Sequence, residues 1–190
     1  MNVKQISLVD FADDRYTIEQ TAVRNKYEVM DSGANTVLRG NHEMFELKDE
    51  IHFTDGDGND VFTVEAEGAM DIAGDYLLRD SQTEETVVVL DNDFSFFQDT
   101  WRIRDVDDQS VLAEINSRGA LFTLARKLLP VGGWIPHKYE IADESGERAG
   151  SIEGQFSFKD RYEITIDEAS SVPKEAIVAG AVVIDAIQGN

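Results

Sequence analysis

Apolar and polar residues alternate along the chain in short runs, and the runs come in pairs. Tyr27-Glu28-Val29-Met30-Asp31 leads through Ser32-Gly33 to Thr36-Val37-Leu38, and Ile51-His52-Phe53-Thr54-Asp55 leads through Gly56-Asp57-Gly58 to Val61-Phe62-Thr63-Val64. Tyr76 to Asp80 precedes Thr86 to Leu90, Trp101 to Asp105 precedes Val111 to Ile115, and Tyr139 to Asp143 precedes Arg148 to Ile152. A period of two predicts strands with one face buried, and Asp followed by Gly-bearing turns predicts hairpins in which Asp caps the turn and Gly takes positive φ.

The marker residues Asp31, Asp55, Asp80 and Asp105 recur at 24 or 25 residues, and Asp143 follows 38 later because of an insertion. Such a period means one supersecondary unit repeated. With Tyr16 to Thr21 before the units and Arg161 to Asp167 after them, about twelve strands are expected, too many for an open twisted sheet. Closure into an antiparallel barrel removes the exposed edges.

The period changes at the C-terminus. Ser170, Ser171, Pro173 and Glu175 read as a helix start, with a hydroxyl cap, Pro in the first turn and an acid favoured by the helix dipole. Ala176 to Ile187 is apolar on every face except Asp185. A helix apolar all round must be buried, and this one is too short to span a bilayer, so the barrel interior is the expected place for it. Asp185, near its end, is expected to reach solvent or a backbone donor. The fold class is thus mainly β: one domain over residues 1–190, strands over about 16–167, an insertion at 117–136 and a central helix over about 173–188.

Composition adds a surface to this frame. The chain of 190 residues carries 38 acids against 17 bases, a net charge of −21 spread along its length. That suits a surface solvated in concentrated salt, and with more Arg than Lys and more Asp than Glu it points to a halophilic archaeal source. Nucleic acid is a poor partner for such a surface. Cysteine is absent, which removes disulfides, thiolate metal sites and a thiol nucleophile. No signal-like or membrane-spanning apolar run occurs, so a soluble, cytoplasmic protein is expected, at most peripheral to a membrane.

The repeated Tyr/Trp-x-Ile/Leu-x-Asp hairpins, followed by Val183-Ile184-Asp185-Ala186-Ile187 in the terminal helix, resemble the LURP-one-related family from about Tyr16 to Gln188. That family shares its fold with the tubby C-terminal domain and with phospholipid scramblases. The resemblance implies a twelve-stranded barrel threaded by its C-terminal helix. It implies little about activity, and the basic phosphoinositide-binding residues of tubby proteins have no matching positions here.

One segment inverts the charge of the chain. From Ile115 to Tyr139 there is no acid, yet Arg118, Arg126, Lys127, His137 and Lys138 occur among Leu121-Phe122, Leu128-Leu129 and Trp134-Ile135. As a functional segment it meets an anionic lipid headgroup or phosphate, with Trp134 at the interface and the bases on phosphates. As a structural one it packs over a barrel mouth with its bases paired to neighbouring acids. Elsewhere, Asp55-Gly56-Asp57-Gly58-Asn59 starts like a calcium loop but has Asp60 at position 6 and Ala66 at position 12, so it reads as a hairpin turn. His42, His52 and His137 lack metal-ligand spacing, and Asp91, Asp93 and Asp99 around Phe94, Phe96 and Phe97 read as strand alternation. No catalytic residue, metal or cofactor is assigned. The expected function is a non-enzymatic binding or anchoring module, with a protein-interaction scaffold as the alternative.

Overall fold

The computed structural model describes residues 11–21, 26–45, 48–66, 75–94, 99–117, 138–155, 161–168 and 170–188. Among them are twelve strands: β1 Arg15–Gln20, β2 Lys26–Met30, β3 Thr36–Phe45, β4 Lys48–Thr54, β5 Asp60–Ala66, β6 Tyr76–Asp80, β7 Thr86–Phe94, β8 Asp99–Asp105, β9 Val111–Ser117, β10 Lys138–Asp143, β11 Arg148–Gln155 and β12 Arg161–Ile166. One helix follows, α1 at Lys174–Gln188. Each strand pairs antiparallel with its neighbours in sequence, and β1 closes on β12, so the sheet is a complete barrel without edges.

The marker aspartates act at the turns as expected. Asp31 Oδ1 accepts the Asn35 amide (2.7 Å), and Asp55 Oδ1 accepts those of Asp57 and Asn59 (both 2.9 Å). Asp80 Oδ1 takes Gln82 (2.7 Å) and Thr83 (2.9 Å), Asp105 Oδ1 takes Asp107 (2.8 Å), and Asp143 Oδ1 takes Ser145 (2.9 Å) and Glu147 (3.0 Å). A carboxylate that satisfies two turn amides removes donors that would otherwise compete with the ladder. Glycine meets the expectation only in part. Gly58 (φ 91°) and Gly146 (φ 81°) take the left-handed position, but in the first hairpin Ala34 takes it (φ 61°) while Gly33 stands one residue early. In the two hairpins whose loops are one residue longer, Glu84 (φ 58°) and Gln109 (φ 61°) occupy that conformation.

Every one of the five hairpins shifts register just before its aspartate. The extra residue on the second strand is Val37, Val61, Val87, Leu112 or Ala149, and all but the partly buried Val37 are buried. Strict alternation therefore fails where each strand leaves its turn: two successive apolar residues, as in Val61-Phe62 and Leu112-Ala113, face away from solvent. A bulge that bends the strand is the usual way to close a barrel wall.

Helix α1 fills the lumen. Pro173 O accepts the first helical amides, from Ala176 (3.1 Å) and Ile177 (3.2 Å). Ser170 Oγ instead accepts the Val172 amide, so the expected hydroxyl cap serves the turn before the helix. Ala176 to Ile184 are buried on all faces, and burial of each Val or Ile side chain contributes roughly 1.5–3 kcal/mol. Ala176, Ala179, Gly180 and Ala181 keep the helix thin, and a Cβ at Gly180 would meet Ile115 Cδ1 at 3.3 Å and Leu90 Cδ2 at 3.8 Å. Of the two expectations for Asp185, solvent exposure is not met, since it is 8% exposed and therefore buried; it does have an interaction partner.

The N-terminal approach is tied to the helix start. Lys174 Nζ donates to Asp13 O (2.9 Å) and pairs with Asp14 Oδ1 (2.8 Å), while Asp13 Oδ2 accepts from the Ser32 amide (2.9 Å) and hydroxyl (2.7 Å). Phe11 closes this corner edge-on to Tyr16, ring centroids 5.4 Å apart.

Candidate functional site

Strand direction divides the barrel connections between two ends. The five Asp turns lie at one end, and the connections between β1 and β2, β3 and β4, β5 and β6, β7 and β8, β9 and β10, and β11 and β12 all leave from the other. The turn segments 31–35, 55–60, 80–85, 105–110 and 143–147 contain thirteen acids and no Lys or Arg. Connections 22–25, 46–47, 67–74, 95–98, 118–137 and 156–160 contain four acids and five Lys or Arg. By sequence, then, the turns at one end are acidic, and the connections that leave the strands at the other are near charge balance.

Of the candidate lipid- or phosphate-binding residues, Lys138 is the one described. It opens β10 and pairs through Nζ with Glu153 Oε2 on β11 at 3.0 Å, both side chains partly exposed. At this residue the base answers a neighbouring acid, as the structural reading of the segment has it. Arg118, Arg126, Lys127, Trp134 and His137 lie outside the described residues.

The structure also brings together residues that sequence spacing does not. Register places Lys26 opposite Asn41 and Asn41 opposite His52, on the outer face of β2, β3 and β4. With Thr21, Glu28, Arg39 and Thr54 they line a groove of about 380 Å³. Arg39 is held there by Gly56 O (Nη1, 2.6 Å) and lies 3.8 Å from Glu28 Oε1, while His52 Nε2 lies 3.3 Å from Glu50 Oε1. Lys26 makes no ion pair with a described residue. Its signal in the sequence is the pairing register itself, which becomes readable only once the hairpins are aligned.

Hydrogen bonds from Asn side chains and turn amides hold the Asp31 and Asp55 carboxyls below the ordinary carboxylate range, with Asn35 and Asn59 the largest cause in each. The Ser145 side chain does the same for Asp143. Asp55 Oδ2 accepts Asn59 Nδ2 at 2.8 Å in addition to the two amides on Oδ1, so its oxygens are spent on the turn rather than offered to a cation. Among the described residues no group of three His, Asp or Glu side chains is placed to hold a metal ion, and no helix is long and apolar enough to cross a membrane.

None of the curated proteins matches the chain. The X-ray structure of a protein from Arabidopsis thaliana superposes with a TM-score of 0.60 at 14% identity, covering 96% of this chain and 98% of that one. At that identity the likeness establishes the shared fold. The model of the LURP-one-related family matches residues 14–185, and the chain belongs to that family.

Proposed function

We propose that the protein is a non-enzymatic binding module that meets an anionic lipid or membrane surface through the acid-free segment 115–139. The observation that carries this reading is the difference in charge between the turns and the other connections. Strands β9 and β10, which segment 118–137 connects, leave the barrel away from the acidic turns, which supports approach of an anionic surface from the side where repulsion is least. Arg118, Arg126, Lys127, His137 and Lys138 would contact phosphates, with Lys138 exchanging Glu153 for a headgroup, and Trp134 would sit at the interface. The filled lumen supports a binding role over an enzymatic one, because the inner wall is occupied by α1 rather than left as a cavity for a substrate.

Liposome flotation tests it. Vesicles containing phosphatidylserine should carry the wild-type protein upward and neutral vesicles should not, and Arg126→Glu with Lys127→Glu should abolish the association. Failure of the wild-type protein to float with anionic vesicles at any ionic strength sinks the lipid reading. A protein-interaction scaffold is the second reading, favoured by the outer groove of β2 to β4, where Lys26 has no ion-pair partner among the described residues. It predicts a stoichiometric partner retained through purification and lost with Lys26→Glu and Arg39→Glu.

A further inference from the structure

Two facing side chains of the inner wall carry a buried polar atom with no hydrogen-bond partner among the described residues. Asn92 on β7 alternates with the core residue Leu90 and is buried, and its register partner on β8 is Trp101, also buried. Neither Asn92 Oδ1 nor Trp101 Nε1 meets a hydrogen-bonding atom of the described residues. One is an acceptor and the other a donor. Buried groups of this kind are nearly always satisfied, and each exception calls for an explanation. Side chains directly opposite on antiparallel strands have Cβ atoms about 5 Å apart, so the two side chains are immediate neighbours in the wall.

We infer that Asn92 and Trp101 hold one small neutral hydroxyl-bearing molecule, a water in the first instance, inside the barrel wall. Its oxygen accepts from the indole N–H and one of its hydrogens is donated to the amide oxygen. The chemistry of the pair selects the ligand: both groups are uncharged, so an ion buried here would go uncompensated by them, and a hydrocarbon would leave both unsatisfied. Tyr76, whose ring centroid lies 5.9 Å from that of Trp101, packs against the indole and limits its rotation. The pair lies in the same inward row as Ile115 on β9. This inference is independent of the lipid reading, since neither residue belongs to segment 115–139.

A high-resolution crystal structure of the full chain tests it directly. The expected result is solvent density within about 2.7–3.2 Å of both Nε1 and Oδ1. A direct Nε1–Oδ1 hydrogen bond formed by a turned Asn92 side chain, or the absence of density between the two, overturns it. In solution, the Trp134→Phe protein leaves Trp101 as the sole indole, and its N–H should show a magnetisation-transfer peak to a held water that Asn92→Leu removes. Stability gives a third measure. The double variant Asn92→Leu with Trp101→Phe should unfold with a constant roughly five- to tenfold smaller than the product of the two single effects requires, because it leaves no orphaned group. Simple additivity overturns the shared site. Were Asn92→Leu not to fold, the crystal and exchange measurements on the wild-type wall decide alone. A methanol soak separates sources: replacement of the water by methanol keeps the hydroxyl site, and methanol bound elsewhere leaves it to water.

Discussion

The backbone amide of Ala34 donates to the Asp31 carbonyl oxygen over 3.0 Å with Ala34 held at a φ of 61°. Gly58 donates to Asp55 O (3.2 Å) and Gly146 to Asp143 O (3.0 Å) in the same place of their hairpins. The repeat thus states its own preferred residue, and the first hairpin departs from it. An L-residue in the left-handed region costs about 1–2 kcal/mol, part of which glycine returns as entropy of the unfolded chain. Ala34→Gly should therefore stabilise the protein by about 0.5–1 kcal/mol, and Gly146→Ala should destabilise it by a similar amount. Thermal melting of the two variants checks the pair; equal and negligible shifts would show that the turn is free to change type.

Asp80 separates burial from capping. It accepts the Gln82 and Thr83 amides like the other marker aspartates, but it is 2% exposed, whereas Asp31 lies at an exposed turn. Removing an exposed cap costs about 1 kcal/mol, and the part-buried hydrogen bonds to Asp80 cost more to lose because water replaces them less readily. Asp80→Ala should lower the urea midpoint well beyond Asp31→Ala, with an unchanged slope.

The hairpins, their order and the helix were legible because each rests on a local rule. Asp31, Asp55, Asp80, Asp105 and Asp143 mark turns by bonding amides within a few residues, and α1 announces itself by being apolar on all faces. What the sequence concealed depends on partners distant along the chain. The bulges at Val61 and Leu112 look like lapses in alternation until the strands are paired, and the meeting of Lys26, Asn41 and His52 follows from the registers of two ladders. Ala34 was hidden by the adjacent Gly33, which supplies the residue type at the wrong position. Which of solvent and a partner Asp185 takes is not legible either, because its distance from the helix end says nothing of where the barrel rim lies.

Gly150 is fixed by close approach rather than by φ. A Cβ there would lie 2.3 Å from Thr165 O, a backbone atom of the paired strand that cannot move without parting β11 from β12. Gly150→Ala is expected to cost upward of about 3 kcal/mol, the range of a disrupted ladder in a packed wall. Gly58→Ala meets open space and should cost only its backbone conformation, about 1 kcal/mol. Denaturant titration of both variants ranks the two effects, and a reversed order would contradict the closeness of β11 and β12 at this point.

Acid should weaken the turns in a defined direction. Hydrogen bonds from Asn35, Asn59 and Ser145 lower the folded-state carboxyls of Asp31, Asp55 and Asp143 below their unfolded values. A lowered folded pKa contributes stability that is present above the ordinary carboxylate range and is lost as pH falls through that range toward the folded values. Stability should thus decline below the ordinary Asp range, and Asp55→Asn with Asp143→Asn, which keep an acceptor oxygen but cannot titrate, should flatten that decline. Melting temperature against pH for the two proteins measures the difference.

Salt should stabilise the barrel. Glu19 faces Glu28, Glu50 faces Glu65 and Glu153 faces Glu163 across neighbouring strands, on top of a net charge of −21. Like charges directly opposite are destabilising by some tenths of a kcal/mol per pair, and screening contracts from about 10 Å at 0.1 M to about 3 Å at 1 M salt. Partners soften some of these contacts: Lys138 pairs with Glu153, and Gln155 Nε2 donates to Glu163 Oε2 at 2.7 Å. Glutamine at Glu163 keeps an acceptor for Gln155 while removing the charge that faces Glu153. Glu163→Gln should therefore raise stability by about 0.5 kcal/mol at 0.1 M sodium chloride and have no effect at 1 M. A benefit that persists undiminished at 1 M would mean that the gain comes from packing or hydrogen bonding, and that repulsion between the β11 and β12 carboxylates is already neutralised by Lys138.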